Sequence, residues 1–209
     1  MADPTGGPRA RLMALSPARQ AQLLDPAEAE FAAHGFAGAS LNRILAAAGM
    51  SKGQAYYYIK DKADLYGAVI ERAFRRLVTK LDFTFGTPPD AKAFWDGVDR
   101  LFRRVSEVLL QDPALAALAS GLYESEATRA ALPGGFLREG FARLVAIGRA
   151  VGAVRGDLPD SLFMTMLFAM GLEADRWFAQ HWQELEEAEV LRLNREVVGM
   201  FRRVAAPQV

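Results

Sequence analysis

With 209 residues, 51% of them apolar, the chain can build cores for two small domains and is too hydrophobic to stay disordered. The absence of cysteine and the wide separation of the two histidines, His34 and His181, exclude disulfides, thiol chemistry and a Cys/His metal cluster. Net charge is zero, but residues 1–80 hold 11 basic and 7 acidic side chains and residues 81–209 hold 14 and 18, so a basic N-terminal part precedes an acidic remainder. Attraction of one end to a polyanion requires that asymmetry.

Residues 1–15, with Pro4, Gly6, Gly7 and Pro8, are expected to be a mobile tail. Its Arg9 and Arg11 leave open a basic arm for a minor groove. Ser16-Pro17 can start a helix, and Asp25-Pro26-Ala27-Glu28 is a stronger start, with a cap, a proline at the first position and an acid at the third. A proline inside a continuous helix costs about 3 kcal/mol, so a break or kink is expected near Asp25. That helix should run to about Ala33 and end at Gly35, with His34 as a C-terminal cation or cap.

Ser40 is a suitable N-cap for the next helix, whose Leu41, Ile44, Leu45 and Ala48 fall on one face. Gly49 supplies the left-handed residue that ends it, and Met50 is placed to fill the corner. Ser51 caps again, and Gln54 completes an S-x-x-Q capping box, so a second helix begins near Lys52. Two short helices joined across a glycine turn form a helix-turn-helix, which suits insertion of the second helix into a DNA groove. Lys52, Lys60 and Lys62 bracket Tyr56, Tyr57 and Tyr58, with no acid between Ser51 and Lys60. Tyrosine hydroxyls and lysine ammoniums donate to phosphate oxygens. Three consecutive helical residues span about 200°, so at least one tyrosine packs inward. Asp61 caps the following helix, with Asp64 at its third position. Lys62 then lies in the first turn, where the helix dipole disfavours a cation by roughly 0.3–1 kcal/mol, a cost that a bound phosphate would offset.

A helix over 62–82 carries two apolar stripes, Leu65-Val69-Ala73-Leu77 and Tyr66-Ile70-Phe74-Val78. Further helices are expected near 90–111, from Asp112-Pro113, over 136–151, over 160–182 and over 184–204, with breaks at 86–89, 132–135 and 152–159. The stretch Leu162 to Leu172 is interrupted by Thr165 and Gly171 and is too short to span a membrane. Residues 1–20 show no apolar signal region.

Residues 16–80 resemble the DNA-binding domain of the TetR family of bacterial transcription regulators. The matching positions are Phe31, Gly35-Phe36, Ala39-Ser40-Leu41, Ile44, Ala48 through Gly53, Tyr56, Lys62 and Leu65. Gln54 stands where the family commonly has threonine, Ala55 where it has a larger apolar residue, Tyr58 where it often has histidine, and Ile59 where it often has phenylalanine. The resemblance implies an all-α subunit in three parts. These are the tail at 1–15, a three-helix helix-turn-helix domain over 16–62, and a helical ligand-binding and dimerisation domain over 63–209. It implies a cytoplasmic homodimer that binds operator DNA and is released by a small molecule, with no cofactor. It places Lys52, Gly53 and Gln54 at the start of the DNA-facing helix, Tyr56, Tyr58 and Lys62 at phosphate-holding positions, Tyr57 at base or sugar edges, and Asn42 at a base or phosphate.

The stretch around Leu162 to Met170 is apolar all round its helix, so both sides should be buried, one against its own core and one against a second subunit. Phe163, Leu167 and Met170, with Val190, Leu193, Val197 and Phe201 on the last helix, are the expected interface. Phe102, Tyr123, Phe141, Met164, Phe168 and Trp177 are candidates to line an apolar pocket, and the scarcity of polar groups there points to a hydrophobic or aromatic inducer. Two other classes stay open. An enzyme lacks support from any Gly-rich phosphate loop or G-x-S-x-G elbow, and Glu124 and Glu126, two apart on a helix, would point away from each other. A helical scaffold of the same fold without DNA binding is the other.

Overall fold

A computed structural model describes residues 7–82 and 84–207, and among these the chain is helical with no strand. The helices are α1 (Pro8–Met13), α2 (Pro17–Gly38), α3 (Leu41–Ala47), α4 (Lys52–Tyr58), α5 (Lys62–Leu81), α6 (Ala91–Gln111), α7 (Pro113–Gly121), α8 (Glu126–Arg129), α9 (Gly134–Ala150), α10 (Asp160–His181) and α11 (Glu187–Ala205). They form two compact units. One holds the described residues through Arg76 together with Asp112–Leu132, and the other holds Leu77–Gln111 and the chain from Pro133 onward. The N-terminal unit therefore extends past residue 62 to include most of α5, and it takes in α7 and α8.

In the first unit α2 packs against both α3 and α7, and α1 packs on α4. The interior is built from Leu23, Leu24, Ala27 and Phe31 of α2, Ile44 and Leu45 of α3, Ala55 of α4, Ile59, and Leu65, Tyr66 and Val69 of α5. The break expected near Asp25 is absent: α2 runs through Pro26. Leu23, Leu24, Ala27 and Phe31 flank the proline and are at most 2% exposed. Burying each large apolar side chain is worth roughly 1.5–3 kcal/mol, which together outweighs a proline cost of about 3 kcal/mol. The backbone leaves helical geometry at Gly35 instead, with φ 63° and ψ 177°, a region essentially confined to glycine. There the Glu124 carboxylate accepts the Phe36 amide at 3.1 Å.

The mobile tail is also corrected. Residues 1–6 lie outside the described residues, but 8–13 are helical and Leu12 is fully buried. Arg9 is not an outstretched arm: its guanidinium donates to the Asp64 carbonyl and to Glu71 Oε2 at 3.0 Å. A further helix, α8, escaped the sequence reading. It is a single turn capped by a reciprocal Ser125–Thr128 box, so Glu124 and Glu126 do not share a helix.

In the second unit α11 lies along α6, and α9 and α10 complete the bundle. Phe94, Trp95, Val98, Val145, Val154, Phe163, Leu167, Val198 and Phe201 form its core. A buried polar pair, Asn194 donating to Ser106 Oγ, ties α11 to α6. Within the single chain only one side of the apolar stretch of α10 is covered. Phe163 and Leu167 are buried, while Leu162 and Met166 are 49% and 55% exposed.

Candidate nucleic-acid interface

The α3–turn–α4 corner is fixed by short-range bonds. Ser40 Oγ accepts the Arg43 amide at 3.4 Å and starts α3. At its end Gly49 has φ 63°, its amide bonds Ala46 O at 3.2 Å, and the Met50 amide bonds Leu45 O at 3.0 Å. These are the two bonds of a Schellman motif. The capping box of α4 forms as expected, with the Gln54 amide on Ser51 Oγ at 3.3 Å and the Ser51 amide on Gln54 Oε1 at 2.8 Å. The Gln54 oxygen is thereby used locally, and the box leaves its NH2 group available for a partner. Asp61 caps α5 through the Asp64 amide at 2.8 Å.

Side chains outside the motif hold this corner against α2. Glu30 Oε1 accepts from the Ser40 amide at 2.8 Å and from Arg43 Nε at 2.9 Å, and Gln22 Nε2 donates to Ala48 O at 3.0 Å. The Arg43 bond, then the Ser40 amide, hold the Glu30 carboxyl below its ordinary range. His34 approaches the same glutamate at 3.8 Å.

The outward side of the corner carries most of the expected contact residues. Asn42, Lys52, Gly53, Gln54, Tyr56 and Tyr57 are exposed, and Tyr58 is half-buried. Ala55 and Ile59, both fully buried, take the inward side, which is why the three tyrosines do not share one environment. Lys62 departs from expectation. Its ammonium donates to the carbonyls of Phe36 at 2.7 Å, Ala39 at 3.1 Å and Ala37 at 3.3 Å, and lies 4.7 Å from the centroid of the Phe36 ring. Three donors meet three carbonyls at the end of α2, and that negative end offsets the unfavourable dipole of α5.

Residues 23–69 match the model for bacterial regulatory proteins of the tetR family. Over this N-terminal segment the chain resembles the TetR family. It is 36% identical over 84 residues to an HTH-type transcriptional repressor of Streptomyces coelicolor, a match covering 40% of this chain and 41% of that protein. The chain thus spans about two fifths of the length of the curated relative it matches. The fold as a whole resembles a TetR-family regulator from Syntrophomonas wolfei, with TM-score 0.68, 17% identity and coverage of 89% and 95% of the two chains. It also resembles the regulator FadR of Bacillus subtilis solved in complex with stearoyl-CoA, with TM-score 0.61, 18% identity and coverage of 87% and 96%.

Other residues expected from the TetR resemblance fall into distinct places. Phe141 and Phe168 meet at 6.0 Å between ring centroids, with Arg138 over Phe168 at 4.6 Å. Phe102 meets Phe201 at 6.1 Å, and Phe102, Phe141 and Met164 pack on the core of the second unit. Trp177 is exposed and stacked on His181, and Tyr123 follows α7 in the first unit. A shallow cleft of about 320 Å³ in the second unit is lined instead by residues 84–89 and by Ala93, Gly97 and Arg100. Of the expected interface residues, Phe163, Leu167, Val190 and Phe201 are buried in the chain's own interior, whereas Met170, Leu193 and Val197 are half-buried. The outward apolar residues of α10 and α11 are Leu162, Met166, Trp177, Met200 and Val204.

A charged chain across the first unit was not foreseen. Arg72 bonds Asp25 at 2.6 Å and Glu28 at 2.7 Å, while Arg76 bonds Glu28 at 2.7 Å and approaches Asp112, the cap of α7, at 3.6 Å. The available signal was an acid, Glu28, on the same helical face as Leu24, Ala27 and Phe31, with two arginines spaced i, i+4 on α5 to neutralise it. Among the described residues no group of three or more His, Asp or Glu side chains could hold a metal, and no helix is long and apolar enough to cross a membrane.

Proposed function

We propose that the chain is a ligand-responsive transcriptional repressor that binds a pseudo-palindromic operator as a cytoplasmic homodimer and releases it when a small hydrophobic or aromatic molecule binds. The observation that carries this reading is the outward, acid-free side of α4, where Lys52, Gly53, Tyr56 and Tyr57 are exposed together. Glycine inside a helix costs up to about 1 kcal/mol relative to alanine. Nothing lies within 4 Å of the place a Gly53 Cβ would occupy, so no internal contact calls for a glycine. Close approach of a DNA backbone does. Lys52 and Tyr56 are assigned to phosphates, Tyr57 to base or sugar edges, and Asn42 and the Gln54 NH2 group to the rim of the contact.

A dimer is supported by Leu162 and Met166 on α10 and by Met200 and Val204 on α11, large apolar side chains left in water at helical spacing. Two α4 helices about 34–36 Å apart would read two half-sites. An apolar ligand is supported by the half-buried Phe102, Phe141 and Met164 around the second unit's core. The stearoyl-CoA complex of the Bacillus subtilis FadR is consistent with a ligand bearing a hydrocarbon chain. A ligand releases DNA only by favouring a conformation that binds DNA less well. Helix α5, which contributes residues to both units, is the element through which such a preference would act. The test is a gel shift against DNA from the protein's own upstream region over a range of salt. Steep loss of affinity with salt is expected, and salt-independent or absent binding would favour a scaffold role.

A further inference from the structure

Helix α4 has only seven residues, about two turns, and isolated helices of that length are not stable in water. Its inward side offers Ala55, a small side chain, and ends at Ile59. The helix that packs on it is α1, whose Leu12 is fully buried. Two arginines of α1 divide the work. Arg9 reaches α5, donating to the Asp64 carbonyl and to Glu71 Oε2 at 3.0 Å, with Asp64 Oδ1 a further 3.6 Å ion-pair contact. Arg11 reaches α4, its guanidinium carbon lying 4.4 Å from the centroid of the Tyr57 ring. A second contact on that ring is Tyr58, edge-on at 5.0 Å and 88°. Tyr57 is nevertheless 54% exposed, so it is gripped without being covered. Arg11 Nε is buried and has no hydrogen-bond partner among the described residues, and the guanidinium lies over the Tyr57 ring.

We propose that α1 is a buttress of the DNA-facing helix, in which Arg11 is a positioning residue that holds the Tyr57 ring for DNA contact while Arg9 fixes α1 to α5. This rests on the reading of α4 as the DNA-facing helix. It differs from a basic arm in which the same arginines would touch phosphates themselves.

The test uses the full-length protein and the duplex that it enriches from a random DNA pool. Affinity is measured against salt for the wild type, Arg11→Ala, Arg11→Lys, Tyr57→Ala, Lys52→Ala and the Arg11→Ala/Tyr57→Ala double variant, with thermal melts to establish folding. Arg11→Ala is expected to weaken binding roughly three- to tenfold, and Arg11→Lys, which keeps a cation over the ring, to restore most of it. The loss should vanish in the Tyr57→Ala background, and the slope of log affinity on log salt should stay at the wild-type value. Lys52→Ala, by contrast, should reduce that slope by about 0.9, as the loss of one phosphate contact does. If Arg11→Ala does not fold, Arg11→Met takes its place in the same cycle. Unchanged affinity, an equal loss in both backgrounds, or a slope reduced as for Lys52→Ala would each overturn the proposal. Failure of the wild type to enrich any DNA would instead sink the function assigned to α4, and this inference with it.

Discussion

Helices α4 and α10 both present side chains outward, but for different physical reasons. In α4 both ends are set by bonds within a few residues, the Ser51–Gln54 box at the start and the Ile59 amide on Ala55 O at the end. Its inward positions are filled by Ala55 and Ile59, and what remains outside is polar or aromatic with a polar tip. In the 22-residue α10 the stretch from Leu162 to Met170 is apolar on all sides, and the chain's own core claims Phe163 and Leu167 while Leu162 and Met166 stay in water. A helix whose outward face suits water is complete by itself. One whose outward face is apolar is waiting for a second surface.

Adjacent residues of α10 sharpen this contrast most strongly. Phe163→Ala should cost about 3–5 kcal/mol of unfolding free energy in urea titrations, because it opens a cavity in the core. Met166→Glu should leave the fold intact yet convert the protein to a monomer in sedimentation velocity at micromolar concentration. Equal effects of the two on folding would erase the distinction between the inner and outer faces.

Lys62→Met comes next. Removing the ammonium leaves three carbonyls at the end of α2 without their donor, for an expected loss of about 2 kcal/mol in thermal or urea unfolding. A phosphate-holding lysine would instead lower DNA affinity and spare stability.

Gly53→Ala should raise stability by roughly 0.5–1 kcal/mol, since the site is helical and open, while weakening DNA binding by crowding the approaching backbone. Improved stability with unchanged binding would remove the reason given for the glycine.

The smallest effect concerns Glu71. Burial works to raise its pKa, but hydrogen bonds from Arg9 and Arg75 prevail and hold it below the ordinary 4.5. A carboxylate with a lowered folded-state pKa stabilises the fold above its unfolded value and loses that contribution as pH falls through the folded value. Glu71→Gln should therefore cost roughly 0.2–1 kcal/mol at neutral pH and flatten the decline in stability below about pH 4.5. An acid-unfolding curve identical to wild type would show that the Arg9 anchor contributes nothing.

The helix-turn-helix was legible in the sequence because its determinants are local: Ser40, Gly49, Ser51 and Gln54 each act within five residues of their partners. What was hidden depends on distant parts of the chain. Pro26 is carried through α2 by burial of its neighbours against other helices, which no local rule contains. Lys62 finds carbonyls 23 to 26 residues away, and Arg9 finds acids 55 and 62 residues away. The α1 stretch offers one fully buried apolar residue, Leu12, too little for a periodic signal. On α10 the all-round apolarity was visible, but the pattern alone could not tell which side the chain keeps for itself.

The account stands on α4 being the surface that reads duplex DNA in a twofold pair. Sequencing of fragments enriched by the purified protein from a random duplex pool tests that most directly. The expected result is a pseudo-palindrome with half-sites about one helical turn apart, or a multiple of it, bound more weakly after Lys52→Ala. Recovery of no common sequence, or of one bound equally well by the Lys52→Ala protein, would contradict it.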